Sequence, residues 1–462
     1  MPNQKDQQQT EQTFPVPVSV PTRDSRQMRR IALAGFTGTV IEFYDLTLYA
    51  VAASLVFADV FFPALGPAAG TIASFGTLGV AFVARPVGAM IFGHFGDRLG
   101  RKRMLVTTLL LMGGATVVVG AMPTADQIGV TAPILIVLMR IVQGVAAGGE
   151  LAGAALFSTE SAPTARRGFW TMFTSLGGGF SIVLANATLL AVGAGLSDEQ
   201  FASFGWRIPF LASGLLVVVG LYIRLKIDES PVFEAEAEAE AEATVESDRG
   251  GGESKIPFIE AWRHQPRHML LVAGISIMQA AFTYLGATYF ANLGTGQLGL
   301  TRNTVLGAGI VGGLCWAFGV VVGATASDRF GRRPVLLTAT AGAVVWALLV
   351  FSLLESASAG EYLLLLCVTL FFAGLEIGPI NVMLSELFDT RYRYTASAFA
   401  YNIGLVIGGA VPPLIGASMT AAHGALSFGL FLAFLCLISL LSAIGLPETR
   451  GRDLSDVLTS RR

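Results

Sequence analysis

The sequence predicts an all-α polytopic membrane protein that crosses a bilayer twelve times and is built from two related halves. Three observations carry this. Apolar residues make up 53% of the chain and charged residues 13%, against about 25% charged in soluble domains. The apolar residues gather into runs of about twenty, the length of helix that crosses a hydrocarbon core. Finally, Asp97-Arg98-Leu99-Gly100-Arg101-Lys102 returns 231 residues later as Asp328-Arg329-Phe330-Gly331-Arg332-Arg333, the mark of a duplicated half carrying several spans.

Taken in order, residues 1–30 are polar, contain Pro15, Pro17 and Pro21, end in Arg29-Arg30, and lack a signal-peptide pattern. They are expected to be a disordered cytoplasmic tail. Six apolar runs follow near 31–57, 67–92, 104–122, 132–158, 169–194 and 207–225, so the first half occupies 31–226. A polar segment, 227–267, contains a Glu-Ala alternation from Phe233 to Ala243 with no apolar face, and reads as a solvated cytoplasmic linker. Six more runs, near 268–293, 303–326, 335–354, 361–387, 394–419 and 424–446, make the second half, 268–446, before a polar tail at 447–462. The short basic stretch Gly93–Arg103 reads as a glycine-broken hairpin between the second and third spans.

The cations set the orientation. The N-terminal tail and every second connection together hold 26 of the 30 Lys and Arg residues, while the opposite connections hold Arg207 and Arg302. The positive-inside rule therefore puts both termini and the long linker in the cytoplasm. Cys315, Cys367 and Cys436 fall inside apolar runs and read as small buried hydrophobes rather than as disulfide or metal ligands. No phosphate loop is present, which argues against an ATP-driven pump, and His264 and His268, whose i,i+4 spacing could bind a metal, have no acid between them and read as juxtamembrane polar residues, so no cofactor is implied. The four histidines lie in loops or at helix ends, so a membrane enzyme lacks its catalytic constellation, and no basic excess points to nucleic acid.

Arg85 and Arg140 lie inside predicted spans, as do Glu42, Asp45, Glu150 and Glu376. An ionisable group there costs about 2.5–3.5 kcal/mol on insertion scales, so each should face a partner or a water-filled cavity, and function is the default reading. At about 1.5 Å rise per residue, Asp45 and Arg140 come to similar depth and Arg85 comes nearer Glu42. Two buried acid–base pairs are thus feasible. Glu42 and Asp45, three residues apart, share a helix face where their charges repel, which favours a proton on one of them. A solute carboxylate competing for the arginine would release the acid to take up a proton, coupling binding to protonation. A static ion pair that holds helices in register is the structural alternative.

Several of these residues carry a resemblance. Gly96-Asp97-Arg98-Leu99-Gly100-Arg101-Lys102 resembles the loop motif between the second and third helices of the major facilitator superfamily, and Arg140-Ile141-Val142-Gln143-Gly144 with Gly148 resembles its fourth-helix motif. Glu42-Phe43-Tyr44-Asp45 with Leu48-Tyr49, Arg85-Pro86-Val87-Gly88, Gly148-Gly149-Glu150, and Glu160-Ser161-Ala162-Pro163 with Arg166-Arg167-Gly168 resemble its metabolite:proton symporter branch. Pro447-Glu448-Thr449 resembles that branch's closing motif. The resemblance runs from about Arg30 to Leu454 and implies twelve helices in two pseudo-symmetric six-helix bundles, with alternating access to a central cavity.

The resemblance also implies roles. Asp97 would pair with a cation and cap a helix of the other half, holding the cytoplasmic side shut, with Arg98, Gly100, Arg101 and Lys102 completing the loop. Asp328, Arg329, Gly331 and Arg332 would do the same in the second half. Glu160, Thr164 and Arg167 recur 226 residues later as Glu386, Thr390 and Arg393 and read as gating residues. Proton coupling would fall to Asp45 and Glu42 with Arg140. Arg85, Arg140, Gln143, Tyr44, Gln279, Tyr284, Glu376, Asn381 and Asn402 would face the solute. The expected solute is a small organic acid, or a zwitterion such as proline or betaine, taken up with a proton by a monomer in the plasma (inner) membrane. A proton-independent facilitator is the competing mechanism; it needs no buried acid, so Glu42 and Asp45 speak against it.

Overall fold

Twelve spanning helices account for nearly all of the chain in the computed structural model, which describes residues 25–99, 101–148, 150–225, 257–354, 357–389, 392–452 and 454. In the first half they are α1 (Ser25–Leu55), α2 (Gly66–Leu99), α3 (Arg101–Ala121), α4 (Thr131–Ala147, resuming as Glu150–Ser161), α5 (Arg167–Gly193) and α6 (Arg207–Leu225). In the second they are α7 (Pro266–Gly296), α8 (Arg302–Phe330), α9 (Arg332–Leu354), α10 (Ala359–Leu387), α11 (Arg393–Leu405, continuing to His423) and α12 (Ala425–Gly445). Eleven are long and apolar enough to cross a membrane by themselves, and the two pieces of α4 make the twelfth. An even number of crossings puts the two chain ends on one face, called here the terminal face.

Large exposed apolar side chains such as Leu215, Val218, Phe318 and Leu441 cover the outer surfaces of the bundle, the expected arrangement where lipid is the solvent. Between helices the contact is made by small residues. A Cβ on Gly88, Gly144 or Gly148 would overlap backbone of Val145, Ala81 or Arg85, so α2 and α4 touch main chain to main chain. The second half repeats this: Gly319 and Gly323 of α8 lie against the Phe371 and Leu375 carbonyls of α10. The halves meet where α5 packs on α8 and α2 packs on α11.

Several boundaries differ from the sequence expectation. Helix α2 runs through Gly93 and Gly96 to Leu99 and α3 begins at Arg101, so the basic stretch is mostly helix that outlasts the apolar run rather than a hairpin loop. The echo turns at Gly331, whose φ of 105° suits a residue without a side chain. Helix α1 starts inside the expected tail, at Ser25, because Met28 and Ile31 pack on Ala162. The expected linker ends in a short helix, Pro257–His264, where Phe258 stacks edge-on with Phe399 and Ala261 is fully buried. Its Glu-Ala run lies outside the described residues. The stretch after α12 is docked rather than free, as its Glu448 shows below.

Candidate functional site

Asp45 sits about two-thirds of the way along α1, 3% exposed, in a buried pocket made with α3 and α4. Gln143 Nε2 donates to both of its oxygens at 3.0 Å, and the Thr116 hydroxyl lies 2.5 Å from Oδ1. Arg140, one helical turn before Gln143, donates from Nη1 to Gln143 Oε1 at 2.6 Å. The same Nη1 is 3.9 Å from Asp45 Oδ2, so the acid and base are paired with the Gln143 amide inserted between them. The Arg140 guanidinium lies over the Tyr49 ring, 3.5 Å from its centroid, and the Tyr49 hydroxyl is fixed by Thr77 at 2.6 Å. Nε and Nη2 of Arg140 have no hydrogen-bond partner.

This arrangement suits a carboxyl that changes charge. The Thr116 hydroxyl has one hydrogen and three polar neighbours: Asp45, the Met112 carbonyl at 2.9 Å and the Gln143 amide that donates to it at 2.9 Å. It donates to an ionised Asp45, and it turns to Met112 when Asp45 is protonated and becomes the donor. The pocket therefore satisfies either state without moving a helix.

A second polar group lies where the halves meet. Arg85 of α2 is 2% exposed and packs its guanidinium 5.1 Å from the Phe82 ring, while Nε and Nη2 have no partner. Phe82 meets Tyr284 of α7 edge to face at 4.6 Å, and the Tyr284 hydroxyl faces Arg85 without a hydrogen bond. Tyr284 immediately precedes a π-helical turn, Leu285–Tyr289, a local widening common at functional sites. Glu42, also buried, acts electrostatically on the Tyr284 and Tyr401 hydroxyls together with Arg85. Tyr401 donates to Gln279 Oε1 at 3.1 Å, and Trp316 Nε1 donates to Thr283 at 3.2 Å. Glu376 of α10 completes the group with no hydrogen bond on either oxygen.

Three expected solute-facing residues are otherwise engaged. Tyr44 turns its hydroxyl to Thr188 and the Pro209 carbonyl, inside the first half. Asn381 donates to Ser175 of α5 at 2.8 Å, and Asn402 donates to the Gly148 carbonyl at 2.9 Å. That carbonyl lies just past the end of the first piece of α4, so Asn402 ties α11 to the first half there. The residues that sequence reasoning missed are hydroxyls and rings: Thr116, Thr77, Thr283, Trp316 and Tyr401. A helical hydroxyl bonds its own backbone wherever it lies, so nothing in the pattern marks these.

The described residues expected to gate meet at the terminal face. Asp328 of α8 accepts from the backbone N–H groups of Gly168 and Phe169, at 3.0 and 2.8 Å, capping α5 of the other half. Arg332 holds the same carboxylate at 2.6 Å and reaches Glu386 at 3.4 Å. Arg167 reaches Glu386 at 3.4 Å from the first half, and Arg393 reaches Glu160 at 3.1 Å from the second. Thr449 donates to Glu386 at 2.7 Å, and Glu448 accepts from the backbone of Arg332, Arg333, Thr449 and Arg450. Partial burial alone would raise the Glu448 carboxyl, but these four donors hold it below its ordinary value of 4.5. Arg329 lies over the Phe330 ring, and its carbonyl accepts from Arg450. Gly100 and the side chains of Asp97, Arg98, Arg101 and Lys102 lie outside the described residues. On the opposite face Arg302 of α8 donates to the Gly193 carbonyl at the far end of α5, and Arg207 to the Gly120 and Met122 carbonyls ending α3.

Comparison with known proteins agrees with this architecture. Residues 31–459 match the family model described as sugar (and other) transporter. The inner membrane metabolite transport protein YhjE of Escherichia coli K12 is 39% identical over 92% of this chain and 95% of its own length. The shikimate transporter of the same organism is 36% identical over 91% and 95%, and its proline/betaine transporter 30% identical over 93% and 86%. Among solved structures, the major facilitator superfamily proton:xylose symporter XylE superposes with a TM-score of 0.77 at 19% identity, over 95% of this chain and 99% of that one, which shows the fold. These relatives are transporters rather than enzymes, and the chain is accordingly a multi-pass membrane transporter of the sugar (and other) transporter family, within the major facilitator superfamily.

Proposed function

We propose that the chain is a proton-coupled symporter that takes up a small carboxylated metabolite by alternating access, in the inner membrane with both termini cytoplasmic. The observation that carries this is Asp45, buried between Gln143, Thr116 and Arg140 in a pocket that accepts both of its charge states. Arg140 and Arg85 each keep two nitrogens without a partner, a match for a carboxylate in the closed core. The solutes named for two relatives, shikimate and proline/betaine, all bear a carboxylate. The linkages at the terminal face fit a cytoplasmic latch that breaks when the cavity opens inward. Asp45 is favoured as the proton carrier and Glu42 as the second acid.

A thermal-shift screen of the purified protein against organic acids and betaines identifies the solute. Uptake into proteoliposomes is then measured with and without an inward proton gradient, for wild type and Asp45→Asn. The variant should lose gradient-driven accumulation and keep solute exchange, which moves no net proton. Wild-type accumulation that ignores the gradient would replace this reading with a facilitator.

A further inference from the structure

We propose that Glu376 is a second proton-binding site, protonated when the transporter is closed and emptied when it opens, so that closure itself consumes a proton in the second half of the molecule. Its part in coupling rests on the symport reading above.

The geometry isolates this carboxyl. Glu376 is 0% exposed, and neither oxygen has a hydrogen-bond partner. From α7 it is faced by the backbone N–H of Gln279, whose own side-chain oxygen is taken by Tyr401. From α11 comes the Tyr401 phenol and from α12 the Cys436 thiol, both neutral acids. Among the described charges on the other helices packed against α10, Glu160 of α4 pairs with Arg393, Arg167 of α5 and Arg332 of α9 with Glu386, and Asp328 of α8 with Arg332, all at the terminal face, while Arg302 of α8 lies at the opposite face on the Gly193 carbonyl. Arg85 and Glu42 both act electrostatically on the Tyr401 hydroxyl, as Glu376 does.

An ionised carboxylate in such a place loses its hydration and gains at most the pull of one peptide N–H, whereas the neutral acid loses little, so burial and protonation are one event. Asp45 differs, because its pocket serves both charge states; Glu376 can be closed over only as the acid. Two features place it in the transport cycle rather than in an inert core. It lies three residues before Pro379, which interrupts the backbone ladder of α10. It also belongs to the internal repeat, since the offset of 226 that relates Glu160 to Glu386 also relates Glu150 to Glu376.

Two measurements on the full chain in lipid nanodiscs test this without a known solute. In the infrared spectrum at neutral pH, the protonated-carboxyl carbonyl band should contain a component that wild type and Asp45→Asn share, that Glu376→Gln loses and that Glu376→Asp shifts. Paired spin labels across the terminal face should show the open population of wild type growing with rising pH, and Glu376→Gln should remove about tenfold per pH unit from that growth, the slope of one proton. Glu376→Asp should restore it. A protonated carbonyl band that persists unchanged in Glu376→Gln, or a pH response the same as wild type, overturns the proposal. Solute uptake that ignores a proton gradient would defeat the symport reading alone, leaving both of these signatures in place.

Discussion

The two halves share a backbone plan and differ in charge. In the first, α2 and α4 touch along Gly88, Gly144 and Gly148, and the space they leave holds Asp45, Arg140 and Arg85. In the second, α8 and α10 touch along Gly319 and Gly323, yet the buried polar groups there are Gln279, Tyr284, Trp316, Asn381 and Tyr401, with Glu376 as the one acid among the central groups described. Where the offset of 231 would repeat Arg85, the second half has Trp316, an indole that needs only Thr283. The glycines are retained in both because helix association in lipid depends on close packing in both. Charge is unevenly placed because each buried ion is costly and stays only where it has work. On the proposed reading, the first half handles the coupled proton and the carboxylate, and the second shapes the rest of the solute while Glu376 takes up the proton of closure.

The sharpest way to break this comparison is to exchange the demands on the halves. Arg140→Lys keeps the charge but loses the planar group that bonds Gln143 and lies on Tyr49, so gradient-driven uptake should fall by at least about tenfold, on the order of 1.4 kcal/mol or more. Gln279→Ala should instead raise the half-saturating solute concentration and leave dependence on the gradient intact. Initial uptake rates at two external pH values decide it: gradient dependence lost in Gln279→Ala and kept in Arg140→Lys would reverse the assignment.

A smaller effect is expected at the latch. Asp328→Asn removes the charge from the α5 N-terminus and one partner from Arg332, at a cost of about 0.5–2 kcal/mol to the closed state. Spin-label distances across the terminal face should shift toward the open population by about 2- to 30-fold. Asp97→Asn, in the repeated loop of the first half, gives the direct comparison. Unchanged distances in both variants would reduce the loops to topology signals.

The smallest effect concerns Glu448. Its folded carboxyl is held below 4.5, so the stabilisation is fully present above that value and fades as pH falls through the lower folded value. Glu448→Gln has one acceptor oxygen for four backbone N–H groups and should lower Tm slightly at neutral pH. The gap from wild type should narrow on acidification below 4.5, as seen by differential scanning fluorimetry in detergent. A gap that is independent of pH would show that the amide's shape, not the lost charge, is responsible.

The twelve spans, the duplication and the buried charges were legible because each is written in a local run or a direct repeat. Depth along a helix was enough to bring Asp45 and Arg140 together. The Gln143 amide between them was not legible, because a 3.9 Å separation with an inserted side chain depends on how α1, α3 and α4 lean on one another. The same holds for the helical segment Pro257–His264, whose two inward residues, Phe258 and Ala261, gain meaning only once α11 supplies a surface.

By itself the sequence determined the solvent, the number of crossings, the repeat and the few residues that burial makes expensive, since hydrophobicity and charge act whatever the neighbours are. Only the tertiary structure decided which of those residues are paired and which stand alone. Asp328 finds the end of α5, Asn402 finds the break in α4, and Glu376 finds nothing, because hydrogen-bond partners lie one or two hundred residues away and are fixed by packing rather than by pattern.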